Sequence, residues 1–211
     1  MEELEKSTLT GDPSSARDLD AAAAILRLGG VVIFPTDTVY GIGARSDRPK
    51  AIERIRQIKK TPENQKFPVL VSDVGQVKKI AKITNAAAKL IEKYWPGGLT
   101  IILNTRRPSV NSSSVILGNE VTPESSKKIA FRMPDSLLTR TLIEKVGTPI
   151  VGTSANFHGK RVPNTFKWLD PKFTKLADYV LEGECKFGIE STVVDATVDP
   201  PKVLREGAVS I

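Results

Sequence analysis

Four apolar residues, Val31 to Phe34, run into Pro35 and then into Thr36, Asp37 and Thr38, with Tyr40, Gly41 and Gly43 close behind. The β-branched run reads as a short buried strand. A strand that gives out into oxygen-bearing side chains and glycines is where open α/β sheets place their ligands, and the glycines let the backbone turn sharply and come close to something. The same Thr and Asp also suit an ordinary helix cap, so this stretch alone leaves both readings open. Four further stretches carry groups that could act on an anion. Ile58 to Val71 brings Lys59, Lys60 and Lys66, and Ile129 to Pro134 ends a strand pattern on Arg132. Arg132 suits a carboxylate by its forked donors, or it snorkels at a sheet edge. Thr153 to Asn156 offers Ser154 and Asn156 in a pattern common to many loops. Glu190 to Asp195 and Val203 to Gly207 add Ser191 and Arg205, where alternation explains the valines as core and leaves Ser191 as a strand-start residue on the plain reading.

The whole chain must carry these groups within 211 residues, a length that suits one generous domain with a sizeable core. Hydrophobic residues make up 40% and charged residues 26%, and no apolar run approaches the roughly 20 residues of a membrane helix. The first residues, MEELEKSTLTGDPSS, are acidic and polar, unlike a secretory signal. Cys185 is the one cysteine, which excludes an internal disulfide and fits a reducing compartment, so a cytoplasmic location is expected. A single His and a single Cys argue against a structural zinc site, and no metal ligands are assigned. The net charge of +7 points to polyanionic partners, nucleotide phosphates or RNA, although solvated helix faces explain clustered bases equally well.

The periodicities place the elements. Residues 1–14 read as a flexible arm, and 15–211 as one domain without internal repeats. Ser15 with Asp18 resembles a capping box opening a helix with Leu19, Ala22, Ala23 and Leu26 on one face. Ser46, Asp47 and Pro49 announce a second helix. Phe67 to Val71 forms a short strand that Pro68 places at a sheet edge or at its own start. Helices follow around Val77 and from Thr84, then a strand from Leu99 to Leu103. Asn104 to Ser126 is long and polar for a connection, which suggests a lid, a binding loop or disorder. Strands at Ile129–Met133 and Ile150–Thr153 flank a helix marked by Leu138, Leu142 and Val146. A helix near Trp168 and strands around Val180, Val193 and Val203 complete the chain. Helices alternate with strands early, and late strands follow one another across short turns. The pattern predicts an α/β fold with a mixed sheet and helices on its faces.

Taken together and in order, the five stretches resemble the signature of the YrdC-like family, whose best-known members are threonylcarbamoyl-AMP synthases. The resemblance spans Gly29 to Gly207. It implies a twisted mixed sheet flanked by helices, with a basic concave face. It also implies that L-threonine, bicarbonate and ATP combine into threonylcarbamoyl-AMP with release of pyrophosphate, for modification of the adenosine beside the tRNA anticodon by a separate transferase. By the same resemblance Thr36, Arg132 and Ser191 bind threonine. Lys59, Ser154, Asn156 and Arg205 bind ATP, with Lys59 also catalytic, and Mg²⁺ comes held by the ATP oxygens. His158 stands where the family often has serine and reads as a surface substitution. Thr61 stands where the family arginine of a Lys-x-Arg pair is expected. Threonine supplies neither the charge nor the fork, so Lys60 or Lys66 is expected to cover that charge. The departure also admits a YciO-like paralogue, or a module that binds RNA, tRNA or double-stranded RNA included, without synthase activity.

Overall fold

The computed structural model describes residues 13–62, 65–106 and 128–211. The expected arm lies outside the described residues up to residue 12, and the expected lid lies outside them from residue 107. Helix α1 spans Pro13–Arg27, so Ser15 is its third residue and not its cap. The proline at the first position explains the earlier start, because its missing N–H is one the helix leaves unpaired anyway.

The remaining elements are β1 (Val32–Phe34), β2 (Gly41–Arg45), α2 (Pro49–Lys59), β3 (Val69–Leu70), α3 (Val74–Ile80), α4 (Asn85–Tyr94), β4 (Leu99–Asn104), β5 (Lys128–Arg132), α5 (Leu137–Val146), β6 (Ile150–Ser154), α6 (Pro171–Thr174), β7 (Tyr179–Val180), β8 (Thr192–Asp195) and β9 (Lys202–Arg205). The strands form one twisted mixed sheet in the order β7-β1-β2-β6-β3-β5-β4-β8-β9. Alternation along the first strand divides the core between the two faces. Val31 and Ile33 pack with α2 and α4 through Ile55, Ile58, Ala87 and Ile91. Val32 and Phe34 face the other way, onto α1 and α5 through Leu26, Leu142 and Val146. No helix among the described residues is long and apolar enough to cross a membrane.

Two local expectations change. Gly41 to Gly43 is not a sharp turn but the start of β2, hydrogen-bonded between β1 and β6. Its glycine at 43 serves packing: a Cβ there would lie 2.5 Å from the Val151 carbonyl oxygen and 2.8 Å from the Phe34 ring. Of the two placements Pro68 allowed, the strand start is the one observed: β3 begins just after Pro68 and is interior, between β5 and β6. The proline therefore sits where its missing N–H costs no ladder bond, and its carbonyl accepts from Gly152 N at 3.0 Å. Near Trp168 the expected helix is a single 3₁₀ turn, Phe166–Trp168, followed by the short α6.

Candidate functional site

The ends of these elements enclose a cleft of about 370 Å³. Thr36, Lys59, Arg132, Ser154, Asn156, Ser191 and Arg205 all line it. They arrive from the loop after β1, the last turn of α2, the end of β5, the end of β6 and the turn beyond it, the approach to β8, and the end of β9.

The floor is built by Thr36. Its hydroxyl donates to the Val39 carbonyl at 2.7 Å and accepts from Thr38 N and Val39 N at 3.2 Å each, which closes the loop after Pro35 on itself. That closure points Asp37 and Thr38 at Arg132. The guanidinium donates through Nε to the Gly97 carbonyl at 3.1 Å, through Nη1 to Thr38 Oγ1 at 2.6 Å, and through Nη2 to Asp37 Oδ1 in a close ion pair. Both charged groups are buried, and Asp37 Oδ2 has no hydrogen-bond partner. Burial therefore lifts the Asp37 carboxyl above its ordinary range against the pull of Arg132, and it lowers Arg132 against the pull of Asp37.

Lys59 is held differently. Helix α2 ends at this residue and Lys60 turns left-handed, with φ 56°. The Lys59 amine reaches across the cleft wall and donates to Ser154 O at 2.5 Å, Asn156 O at 2.8 Å and Asn156 Oδ1 at 3.2 Å. Only 4% of the residue is exposed, and its partners are neutral. Burial pushes the amine down to about 8, with Glu190 opposing through its charge. Asn156 is fixed in turn by Nδ2 donating to Lys160 O at 2.5 Å.

At the far wall Arg205 donates to Ser191 O from Nε and Nη2, at 3.1 and 2.8 Å, and from Nη1 to Glu190 Oε1 at 3.2 Å. Ser191 Oγ shares a 2.8 Å hydrogen bond with Thr100 Oγ1. Gly207 allows this wall to close: a Cβ there would lie 2.2 Å from the Glu190 carbonyl oxygen.

Thr61 is not among the residues lining the cleft; it is buried, and its hydroxyl has no partner among the described residues. Lys60 and Lys66 are not among the lining residues either. The lining cations besides Lys59 are Arg132, Arg205 and Lys160. His158 lies at the surface as read, yet it also lines the cleft. Asp37, Thr38, Thr100, Glu190 and Lys160 were not among the expected site residues. Asp37 and Thr38 carried a signal in their position beside Thr36, whereas Thr100 sits inside an apolar strand pattern and carried none.

A mixed α/β sheet whose strand and helix ends surround a cleft lined, among the described residues, by four cations and the carboxylate of Glu190 is the class of fold and site found here. Comparison then narrows the class. The chain matches the Sua5/YciO/YrdC family model, described as telomere recombination, over residues 24–207, and it belongs to that family. It is 36% identical over 203 residues to the threonylcarbamoyl-AMP synthase of Bacillus subtilis strain 168, covering 95% of this chain and 55% of that protein's length. The crystal structure of P. abyssi Sua5 complexed with L-threonine superposes with a TM-score of 0.78 at 34% identity, over 90% of this chain and 54% of the other. The E. coli YciO crystal structure superposes with a TM-score of 0.76 at 28% identity, over 92% of this chain and 91% of the other.

Proposed function

We propose that this chain is a threonylcarbamoyl-AMP synthase, a nucleotidyltransferase joining L-threonine, bicarbonate and ATP into L-threonylcarbamoyladenylate, with release of pyrophosphate and water. One observation carries the reading: side chains from six separate elements and loops converge on one cleft, in a chain that is 36% identical to a protein bearing that name. Two bonds are made: the threonine nitrogen joins the bicarbonate carbon with loss of water, and an oxygen of the resulting carbamate joins the α-phosphorus of ATP as the bond to pyrophosphate breaks. No covalent nucleophile is required, so positioning and electrostatics can supply the rate.

The residues divide the work. Arg132 retains N–H groups beyond the three used on Gly97, Thr38 and Asp37, and these would take the threonine carboxylate. Thr36 shapes the loop against which the amino acid lies, and the Ser191 hydroxyl orients its other end, steadied by Thr100. Ser154 and Asn156 hold the nucleotide. Lys59 and Arg205 offset charge growing on the phosphates, and Lys59 is the catalytic cation. Mg²⁺ would enter on the ATP oxygens, which suits a cleft lined by the single carboxylate Glu190 among the described residues. The adenylate would pass to a separate transferase acting on tRNA, in the cytoplasm. The Pyrococcus complex supports threonine as the amino acid.

A pyrophosphate-release assay with ATP and bicarbonate, run with threonine, with serine and with no amino acid, tests the reading. Threonine-dependent release is expected. Thr61, together with the near-full coverage of YciO, favours a second reading, in which the fold binds an anion, nucleotide or RNA, without this chemistry. No release under any condition would move the assignment there.

A further inference from the structure

We infer that Lys160 is the side chain that makes the free cationic contact to a phosphate group of the nucleotide, the contact that Thr61 leaves unmade. The inference rests on the reading above only in taking ATP as the anion. Three of the four cations lining the cleft among the described residues are already engaged by the protein. Arg132 is paired with Asp37, Lys59 has each of its three N–H groups on an oxygen of Ser154 or Asn156, and Arg205 is divided between Ser191 O and Glu190. They set the field of the cleft, yet an incoming phosphate must displace a protein acceptor to bond fully with Lys59, and Arg205 is already turned onto Ser191 O and Glu190. The Lys160 ammonium makes no hydrogen bond or ion pair among the described residues, and Lys160 is one of the residues lining the same cleft.

Its backbone is nevertheless held. Lys160 N donates to Phe157 O at 3.0 Å, and Lys160 O accepts from Asn156 Nδ2 at 2.5 Å. The turn that carries it is thus tied, through Asn156, to the Lys59 amine. The neighbouring Arg161 is spent elsewhere, its guanidinium 3.5 Å above the Trp168 ring. An exposed, unpartnered ammonium on a fixed turn is what capture of a phosphate oxygen needs, since it bonds as a point charge with no required plane.

Binding of ATP and of adenosine to the full chain, measured by calorimetry, tests this separately from turnover. Lys160→Ala is expected to weaken ATP about tenfold, the loss typical of one charge-assisted bond at a partly exposed site. It should leave adenosine affinity unchanged, Lys160→Arg should restore most of the ATP affinity, and Lys60→Ala should match the wild type. Unchanged ATP affinity in Lys160→Ala would overturn the inference, as would an equal loss for adenosine, which would mean a structural role. A wild type that binds no ATP overturns the inference and the synthase reading together. A wild type that binds ATP but releases no pyrophosphate overturns the reading alone, and Lys160 is then judged on affinity.

Discussion

Two cations buried in the same cleft are held in opposite ways. Arg132 has a carboxylate against it, so with Asp37 it forms a pair of little net charge. Lys59 has only carbonyl and amide oxygens, whose dipoles hold the ammonium without cancelling it. The first arrangement makes a rigid, specific fork; the second leaves a positive charge in a dry wall. For the proposed synthase, which would orient an amino acid and attract a polyphosphate, these are complementary devices. On that proposal Arg132 would supply direction and Lys59 field, and mutations at the two should separate stability from binding.

The largest effect should come from breaking the pair. Asp37→Ala leaves the Arg132 guanidinium buried without a counter-charge, and removal of one partner from a buried pair typically costs about 3–5 kcal/mol. Urea unfolding should show that loss. The double replacement Asp37→Ala with Arg132→Met should recover part of it, because the stranded charge goes too. A loss below about 1 kcal/mol for Asp37→Ala would show that water reaches Arg132 as readily as the carboxylate does. Arg132→Met should remove threonine binding and leave ATP binding largely intact, as judged by calorimetry.

Lys59→Met should behave in the reverse way. The lost hydrogen bonds are offset by removing a charge that burial disfavours, so stability should stay within about 1 kcal/mol of wild type. ATP affinity should nevertheless fall at least about tenfold. If stability collapses while ATP affinity holds, Lys59 is a fastener for the Ser154–Asn156 turn and not the source of the field.

What was legible in the sequence follows from the same contrast. Arg132 and Lys59 were both visible as cations at the ends of elements, and the strands around them followed from β-branched runs. Their partners were not visible, since Asp37 lies 95 residues from Arg132 and Asn156 lies 97 from Lys59. Spacing along a chain says nothing about pairs that only a nine-stranded sheet brings together. For the same reason β2 was misread: its glycines signal flexibility locally, whereas the Phe34 ring that requires one of them is on the neighbouring strand. Pro68 left two placements open, and the strand start is the one observed, since β3 begins just after the proline and lies inside the sheet.

A smaller and more gradual effect should appear with pH. The free enzyme's Lys59 amine sits at about 8, held there by burial, so its charge is present below that pH and lost above it. A bound polyphosphate favours the charged form and raises this value. ATP affinity should therefore be flat below about pH 7 and decline as pH rises through 8 and 9. At pH 8 binding should take up about half a proton, a quantity read by titrating in buffers of different protonation enthalpy. Lys59→Arg should abolish both the decline and the uptake, since guanidinium stays charged throughout. Proton release, or no exchange at all, would mean that Lys59 is fully charged before ATP arrives.

The smallest expected change concerns Thr61, the position at which the resemblance leads one to expect an arginine. Its hydroxyl is buried without a partner, and a polar group left so typically costs about 1–3 kcal/mol relative to a satisfied one. Valine has nearly the same shape and no hydroxyl to desolvate. Thr61→Val should therefore leave stability unchanged or raise it by up to about 1 kcal/mol in urea unfolding. It should leave ATP affinity and pyrophosphate release at the wild-type level, because Thr61 does not line the cleft and lends no donor to it. A fall in ATP affinity would mean that the hydroxyl turns toward the nucleotide when the cleft fills. Thr61→Arg is the sharper companion: if a guanidinium from this position reaches the cleft, it should make the Lys160→Ala loss smaller, since one phosphate contact would replace the other. Equal losses on the threonine and arginine backgrounds would show that position 61 acts on a different part of the anion than Lys160 does.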